Sequence, residues 1–202
     1  MTPYLASSQY IDWHDRGVAK KAAELAEGCS FEEIISKKCF EFVRDSIKHS
    51  WDFKISPVTC RASDVLRHGT GYCYAKSHLL AALLRANGIP AGLCYQRLAL
   101  GAEGSPFCLH GLNAVYLQRY GWYRIDPRGN KAGVDAAFTP PIERLAFPNR
   151  TKGEILLPEI WPEPMPVVVA VLTRCTTVEQ VAGNLPDVEI IESPSAQEKD
   201  VG

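Results

Sequence analysis

The chain has no apolar run near the roughly 20 residues that a membrane-crossing helix requires. Its longest, Leu79 to Leu84 and Val167 to Leu172, are far shorter, so no bilayer span is expected. It also lacks an excess of charge. The formal net charge is -1 and no long basic run offers a face for phosphates, which sets nucleic acid and membrane aside as partners. The opening Met1-Thr2-Pro3-Tyr4-Leu5-Ala6-Ser7-Ser8 lacks the basic-then-apolar order of a secretory signal, and a cytoplasmic location is expected. No C-x-x-C pair is present. Seven cysteines (Cys29, Cys39, Cys60, Cys73, Cys94, Cys108 and Cys175) are an odd number, unlike a disulfide framework or a zinc ribbon, so most are expected to be buried free thiols. There is no internal repeat. A length of 202 residues suffices for one domain whose core needs no covalent staples.

What is present is concentrated in Gly69-Thr70-Gly71-Tyr72-Cys73-Tyr74-Ala75-Lys76-Ser77-His78 and the apolar run that follows it. A glycine turn delivers Cys73 to the first turn of a helix carrying Ala75 and Leu79 to Leu84. Asn87-Gly88-Ile89-Pro90 stops that helix, because Gly suits a left-handed terminal residue and Pro does not continue one. Unpaired N–H groups and the positive end of the helix dipole favour a thiolate at such a start. Gly71 is expected to let a substrate backbone approach.

Before this stretch, Val18 to Glu27 reads as an amphipathic helix ended by Gly28. Ser30-Phe31-Glu32-Glu33 reads as a capping box opening a second helix that runs to about Lys48. Trp51 to Pro57 is expected to be extended or looped, and Ser63 to Arg67 a short helix. The period then changes to that of strands: Ala91 to Leu98, a loop from Gly101 to Pro106, Leu109 to Leu117, a turn at Gln118 to Gly121, and Trp122 to Ile125 closed by Asp126-Pro127. Helices followed by strands make an α+β plan, with a central helix packed on an antiparallel sheet. Beyond Asn130 repeated prolines break any period. The reading is a single domain over 1–202, its core about 30–130, with a wrapping extension over 132–202 that holds a late strand at Val167 to Leu172 and a short helix after Thr176-Thr177 ended by Gly183. The polar residues from about Glu192 are expected to fray.

A cysteine nucleophile needs a base, and the base needs an orienting group. Of five histidines, His14, His49 and His68 precede Cys73, and His78 lies five residues along the same helix, leaving His110. His110 opens one strand of the hairpin and Asp126 closes the other, so folding the turn brings both to the same open end. Asp126 then orients one imidazole nitrogen while the other faces Cys73.

Gly-x-Gly-Tyr-Cys73-Tyr-Ala-x-x-x-Leu-Leu-Ala-Ala-Leu-Leu-Arg85-Ala-x-Gly88-Ile-Pro90, then His110, then Gly121-Trp122-Tyr123-Arg124-Ile125-Asp126-Pro127, resembles the core of the transglutaminase-like superfamily over roughly Glu41 to Gly129. The resemblance implies a papain-like α+β fold in which Cys73 forms an acyl-enzyme, His110 acts as base and acid, and Asp126 orients it. It also implies an oxyanion hole made by the Cys73 N–H and an upstream side chain, for which Trp51 and Tyr72 are the candidates. No cofactor or metal is implied. The chain departs from many relatives after the histidine, where it carries Gly111-Leu112-Asn113-Ala114, and that strand is expected to sit differently.

Alone, a cysteine in a Gly-rich turn is more often a packed small residue. Arg85 reads as a helix C-terminal cation, Lys76, Arg97 and Arg128 as solvated charges, and Trp122 and Tyr123 as core aromatics. A zinc site from Cys73, His78 and His110 lacks a second close ligand pair. Arylamine N-acetyltransferases share the order Cys, His, Asp, but their motifs around the cysteine and aspartate differ. The expected activity is that of a cysteine-dependent hydrolase or acyltransferase, a cysteine protease or amidase, acting on a peptide or small amide substrate. A noncatalytic binding module on the same fold is the alternative.

Overall fold

A computed structural model describes residues 1–101 and 104–188 of the chain, and the expected fraying from Glu192 lies outside the described residues. Among the described residues no helix is long and apolar enough to cross a membrane.

Helix α1 (Arg16–Ala26) begins where the Asp15 carboxylate accepts the N–H groups of Gly17 and Val18, and Gly28 follows it in the left-handed region at φ 71°. Helix α2 (Glu32–Glu41) starts differently from expectation. Phe31 stands at its N-cap without a side-chain cap, and the Glu32 carboxylate is taken by the Gln118 N–H of the distant hairpin turn. Nor does the helix reach Lys48 in α geometry. Phe42–Ser46 widens into a π-helical turn, and the carbonyls of Arg44 and Ile47 accept from the ammonium of Lys76, a lysine with no exposed surface.

Strand β1 (Lys48–His49), helix α3 (Ser50–Phe53) and helix α4 (Ala62–His68) come next. Part of the expected loop is therefore a single helical turn, stopped by Lys54 at φ 53°. Strand β2 (Thr70–Gly71) pairs parallel with β1, setting Lys48 beside Thr70 and His49 beside Gly71. Helix α5 (Cys73–Ala86) is buried from Cys73 through Arg85: the apolar run Leu79 to Leu84 demands it, and Lys76, Ser77, His78 and Arg85 are buried beside it by donating to or pairing with backbone carbonyls. Helices α1, α2 and α4 pack around it, and a sheet covers the remaining side.

The sheet has the order β5-β4-β3-β6, formed by β3 (Ala91–Gly101), β4 (Gly104–Leu117), β5 (Gly121–Ile125) and β6 (Ile155–Leu156), all neighbours antiparallel. Strands β3 and β4 extend into the stretch expected to be a loop. The two outer strands are short. Pairing of β4 with β5 covers only Asn113 to Leu117, so among the described residues the Gly104 to Leu112 half of β4 has no strand on that side.

The wrapping segment includes one clear correction. Val167 to Leu172 is not a strand but lies in helix α6 (Pro166–Arg174). Pro166 fits the first helical position, and Val168, Val171 and Leu172 bury one face at helical spacing, which outweighs the β preference of the valine run. Helix α7 (Val178–Ala182) is capped by the Thr177/Gln180 box and followed by Gly183.

Candidate active site

Cys73 is the first residue of α5, with Tyr72 at the N-cap. Gly71 acts by packing, not by admitting substrate: a Cβ there would lie 3.1 Å from both Ala75 Cβ and Thr59 Oγ1. The turn can sit this close to α5 only without a side chain.

Gly111 does the same for the sheet. A Cβ at this position would approach Tyr74 Cδ1 to 2.9 Å and Tyr74 Cα to 3.0 Å. The bare backbone brings β4 against the first turn of α5, and the Gly111 N–H points at the Cys73 sulfur at 3.5 Å. The departure from the usual residues after His110 is thus a device for close approach.

The structure brings Cys73, His110 and Asp126 together. One imidazole nitrogen, Nε2 of His110, lies 2.8 Å from Asp126 Oδ2, and the Cys73 sulfur stands close enough to the ring to favour its charged form. Asp126 is fully buried and also accepts the N–H groups of Arg128 and Ala146, each at 3.1 Å. Burial opposes ionisation of this carboxyl, yet the adjacent His110 charge and these hydrogen bonds hold its pKa below the ordinary value. For His110 burial likewise opposes the charge, but Asp126 and the Cys73 sulfur outweigh it, and the pKa is pushed up to about 10. The Phe147 ring covers the imidazole edge-on at 5.1 Å. The wrapping segment therefore completes the site through Ala146 and Phe147.

The side chain touching the Cys73 N–H is His49, one of the histidines passed over for preceding Cys73. Its Nε2 accepts that N–H at 3.2 Å, while Nδ1 has no hydrogen-bond partner among the described residues and Asp52 Oδ2 stands 3.8 Å away. Burial, with help from the Arg128 charge and against Asp52, holds the His49 pKa well below its ordinary value. As an acceptor at Nε2 the ring is in its neutral form and carries its proton on Nδ1. Of the two residues suggested for the oxyanion hole, Tyr72 donates its hydroxyl to the Val178 carbonyl at 2.8 Å, and Trp51 lies on the cleft wall with the Lys54 ammonium over its ring. The sequence carried one faint sign of His49, its position just ahead of Trp51, but its pairing with Gly71 rests on two-residue strands with no period to read.

These groups open onto a cleft of about 350 Å³ walled largely by Trp51, Tyr72, Leu98, Leu109, Phe147 and Leu185. A shallower 550 Å³ hollow behind Phe147, lined by Gln96, Asp135 and Arg144, includes neither Cys73 nor His110.

Other charged residues prove structural. Arg128 is buried, gives Asp52 two hydrogen bonds of 2.7 and 3.0 Å, and through its N–H supports Asp126. Arg97 clasps Asp187 with two bonds of 2.7 Å. Arg85 does sit in the last turn of α5 as expected, but as a buried clamp donating to the carbonyls of Ala91, Ala6 and Pro162. His78, weighed as a metal ligand, turns its Nδ1 to the Cys60 carbonyl at 2.7 Å.

A helix-borne cysteine facing a histidine from an antiparallel sheet defines the papain-like class of α+β folds. The chain belongs to the transglutaminase-like superfamily, whose model matches residues 19–127. Among solved structures it is similar to a candidate cysteine protease from Cytophaga hutchinsonii, at 20% identity and a TM-score of 0.50, over 63% of this chain and 41% of that one. It is also similar to the periplasmic domain of TgpA from Pseudomonas aeruginosa, at 19% identity and a TM-score of 0.46, over 61% and 45%. Red sea bream transglutaminase aligns at 12% identity and a TM-score of 0.39, over 55% and 26%. The chain thus spans less than half the length of each of these proteins. A search among curated proteins gives no match.

Proposed function

We propose that this chain is a cysteine-dependent hydrolase or acyltransferase acting on amide bonds of peptides or small molecules. One observation carries the reading: Cys73, at the start of α5, lines the same cleft as His110, whose Nε2 bonds Asp126 at 2.8 Å. In the proposed reaction Cys73 gives its proton to His110, and its Sγ attacks the amide carbon as the carbonyl π electrons move to oxygen. Collapse of the tetrahedral intermediate expels the amine, which takes a proton from His110 and leaves a thioester. Water, or an amine in the acyltransferase case, then gives its proton to His110, attacks the thioester and releases Cys73. Asp126 holds the imidazole throughout. The developing oxyanion is received by the Cys73 N–H, displacing His49 Nε2 from it, and His49 joins as a donor in its other tautomer, Nδ1 releasing its proton to solvent as Nε2 takes one up. All seven cysteines are free, which supports a reducing compartment such as the cytoplasm.

One observation favours the noncatalytic alternative: His49 already occupies the Cys73 N–H. Two reactions of Cys73 decide between them, because alkylation by iodoacetamide needs no oxyanion hole while acylation by p-nitrophenyl acetate does. Wild type is expected to undergo both at pH 7. His110→Ala should slow both, acylation by roughly 10²-fold or more. His49→Ala should leave alkylation nearly unchanged and slow acylation by about 10²–10³-fold, with His49→Gln recovering part of the loss. Alkylation of Cys73 independent of His110, with no acylation in wild type, would establish the noncatalytic module.

A further inference from the structure

The last described residues lie across the cleft. At one wall Val178 O accepts the Tyr72 hydroxyl at 2.8 Å, and Tyr72 is the neighbour of the nucleophile. At the other, Pro186 O accepts the Leu109 N–H at 2.7 Å, one residue before His110, on the stretch of β4 that β5 leaves uncovered. The Asp187 carboxylate anchors this end on Arg97. Between the anchors Leu185 lines the same cleft as Cys73 and His110, which are left only 7% and 4% exposed. A polypeptide running through the site along the β4 edge needs the Leu109 N–H that Pro186 holds. The remaining 350 Å³ is at the small end of the roughly 300–1,000 Å³ typical of small-molecule pockets, and its walls are mostly apolar.

We propose that Leu185, Pro186 and Asp187 determine specificity by closing one side of the cleft, so that Cys73 receives small amides or chain ends with an apolar group, not internal bonds of an extended polypeptide. This rests on Cys73 being the reactive residue of the proposed function. The occupancy of the strand edge by the chain's own carbonyl, together with the apolar wall supplied by Leu185, selects the substrate by size and polarity.

The test compares iodoacetamide with the bulky 5-iodoacetamidofluorescein, reagents of the same chemistry, on Cys73 in the full chain, with sites mapped and rates normalised to glutathione. In wild type the bulky reagent should be at least tenfold slower relative to the small one. Arg97→Glu should raise that ratio several-fold by releasing Asp187, and Arg97→Glu with Asp187→Arg should lower it again, a reversal that general destabilisation does not produce. Equal normalised rates in wild type, or a ratio unmoved by Arg97→Glu, would overturn the proposal. The ratio reports access alone. Loss of His110 dependence in the small-reagent arm would instead count against the catalytic reading while leaving the size comparison interpretable.

Discussion

At the scale of single residues, the site depends on a missing methyl group as much as on its reactive groups. Gly111 allows β4 to approach Tyr74, and through that approach His110 meets Cys73. Adding one carbon forces the strand or the helix to move, since the colliding atoms include the Tyr74 backbone. Overpacking of this kind costs about 1–3 kcal/mol. Gly111→Ala should therefore lower stability by that amount in urea unfolding and slow Cys73 alkylation as well, because the Gly111 N–H withdraws from the sulfur. Gly28 is open around its Cβ position, so Gly28→Ala should cost only the strain of its positive φ and leave alkylation unchanged.

Among the elements, α5 carries both the chemistry and the main tie between distant parts of the chain. Its Arg85 draws the N-terminal segment, the start of β3 and the wrapping segment to one guanidinium, whose burial lowers its pKa to about 10. Arg85→Met keeps the packing volume but leaves the carbonyls of Ala91, Ala6 and Pro162 without their donor. The buried Ala91 carbonyl left unpaired costs about 1–3 kcal/mol and the part-buried carbonyls of Ala6 and Pro162, within reach of water, cost less, partly offset by the relief of a buried charge. The expected loss is at least ~2 kcal/mol by urea unfolding, and a smaller loss would mean that these carbonyls find other partners.

Several elements were legible from sequence for physical reasons. The α5 run, bounded by Gly69 and Gly88, and the strand alternation from Ala91 to Ile125 are local patterns, and they sufficed to bring Cys73, His110 and Asp126 to one place. What escaped is set by distant partners. Helix α2 starts past Ser30, so the box with Glu33 does not form and Glu32 turns to Gln118, a valine-rich segment becomes helix α6 once Pro166 starts it, and His49 reaches Cys73 through a two-residue strand pair. Arg97 gives no local sign that its partner is Asp187, ninety residues away.

For the whole molecule, two buried cations impose opposite pH dependences on stability. The His110 pKa is raised to about 10 from an unfolded value near 6.5, so its stabilisation is complete below about 6.5 and is lost as pH rises through about 10. Burial lowers the Lys76 pKa to about 7 from an unfolded value near 10.4, so its penalty is full below about 7 and fades as pH rises towards 10.4. In wild type the two trends offset each other between about pH 7 and 10. Lys76→Met should leave stability falling with pH in that window, and His110→Asn should leave it rising, as read from urea midpoints across the range. Parallel profiles in the two variants would contradict the assignment.

The brevity of β5 carries a further consequence. A sheet margin with unsatisfied backbone groups invites pairing between molecules, and here the portion of β4 that β5 does not pair is the portion that presents His110. The contact from Pro186 to Leu109 therefore has a colloidal value besides its effect on access. Any lineage that widened this cleft by shedding the segment would also unmask an adhesive strand. Solubility and substrate range are tied to the same hydrogen bond, so broader reach toward polypeptides would require a replacement cover for β4.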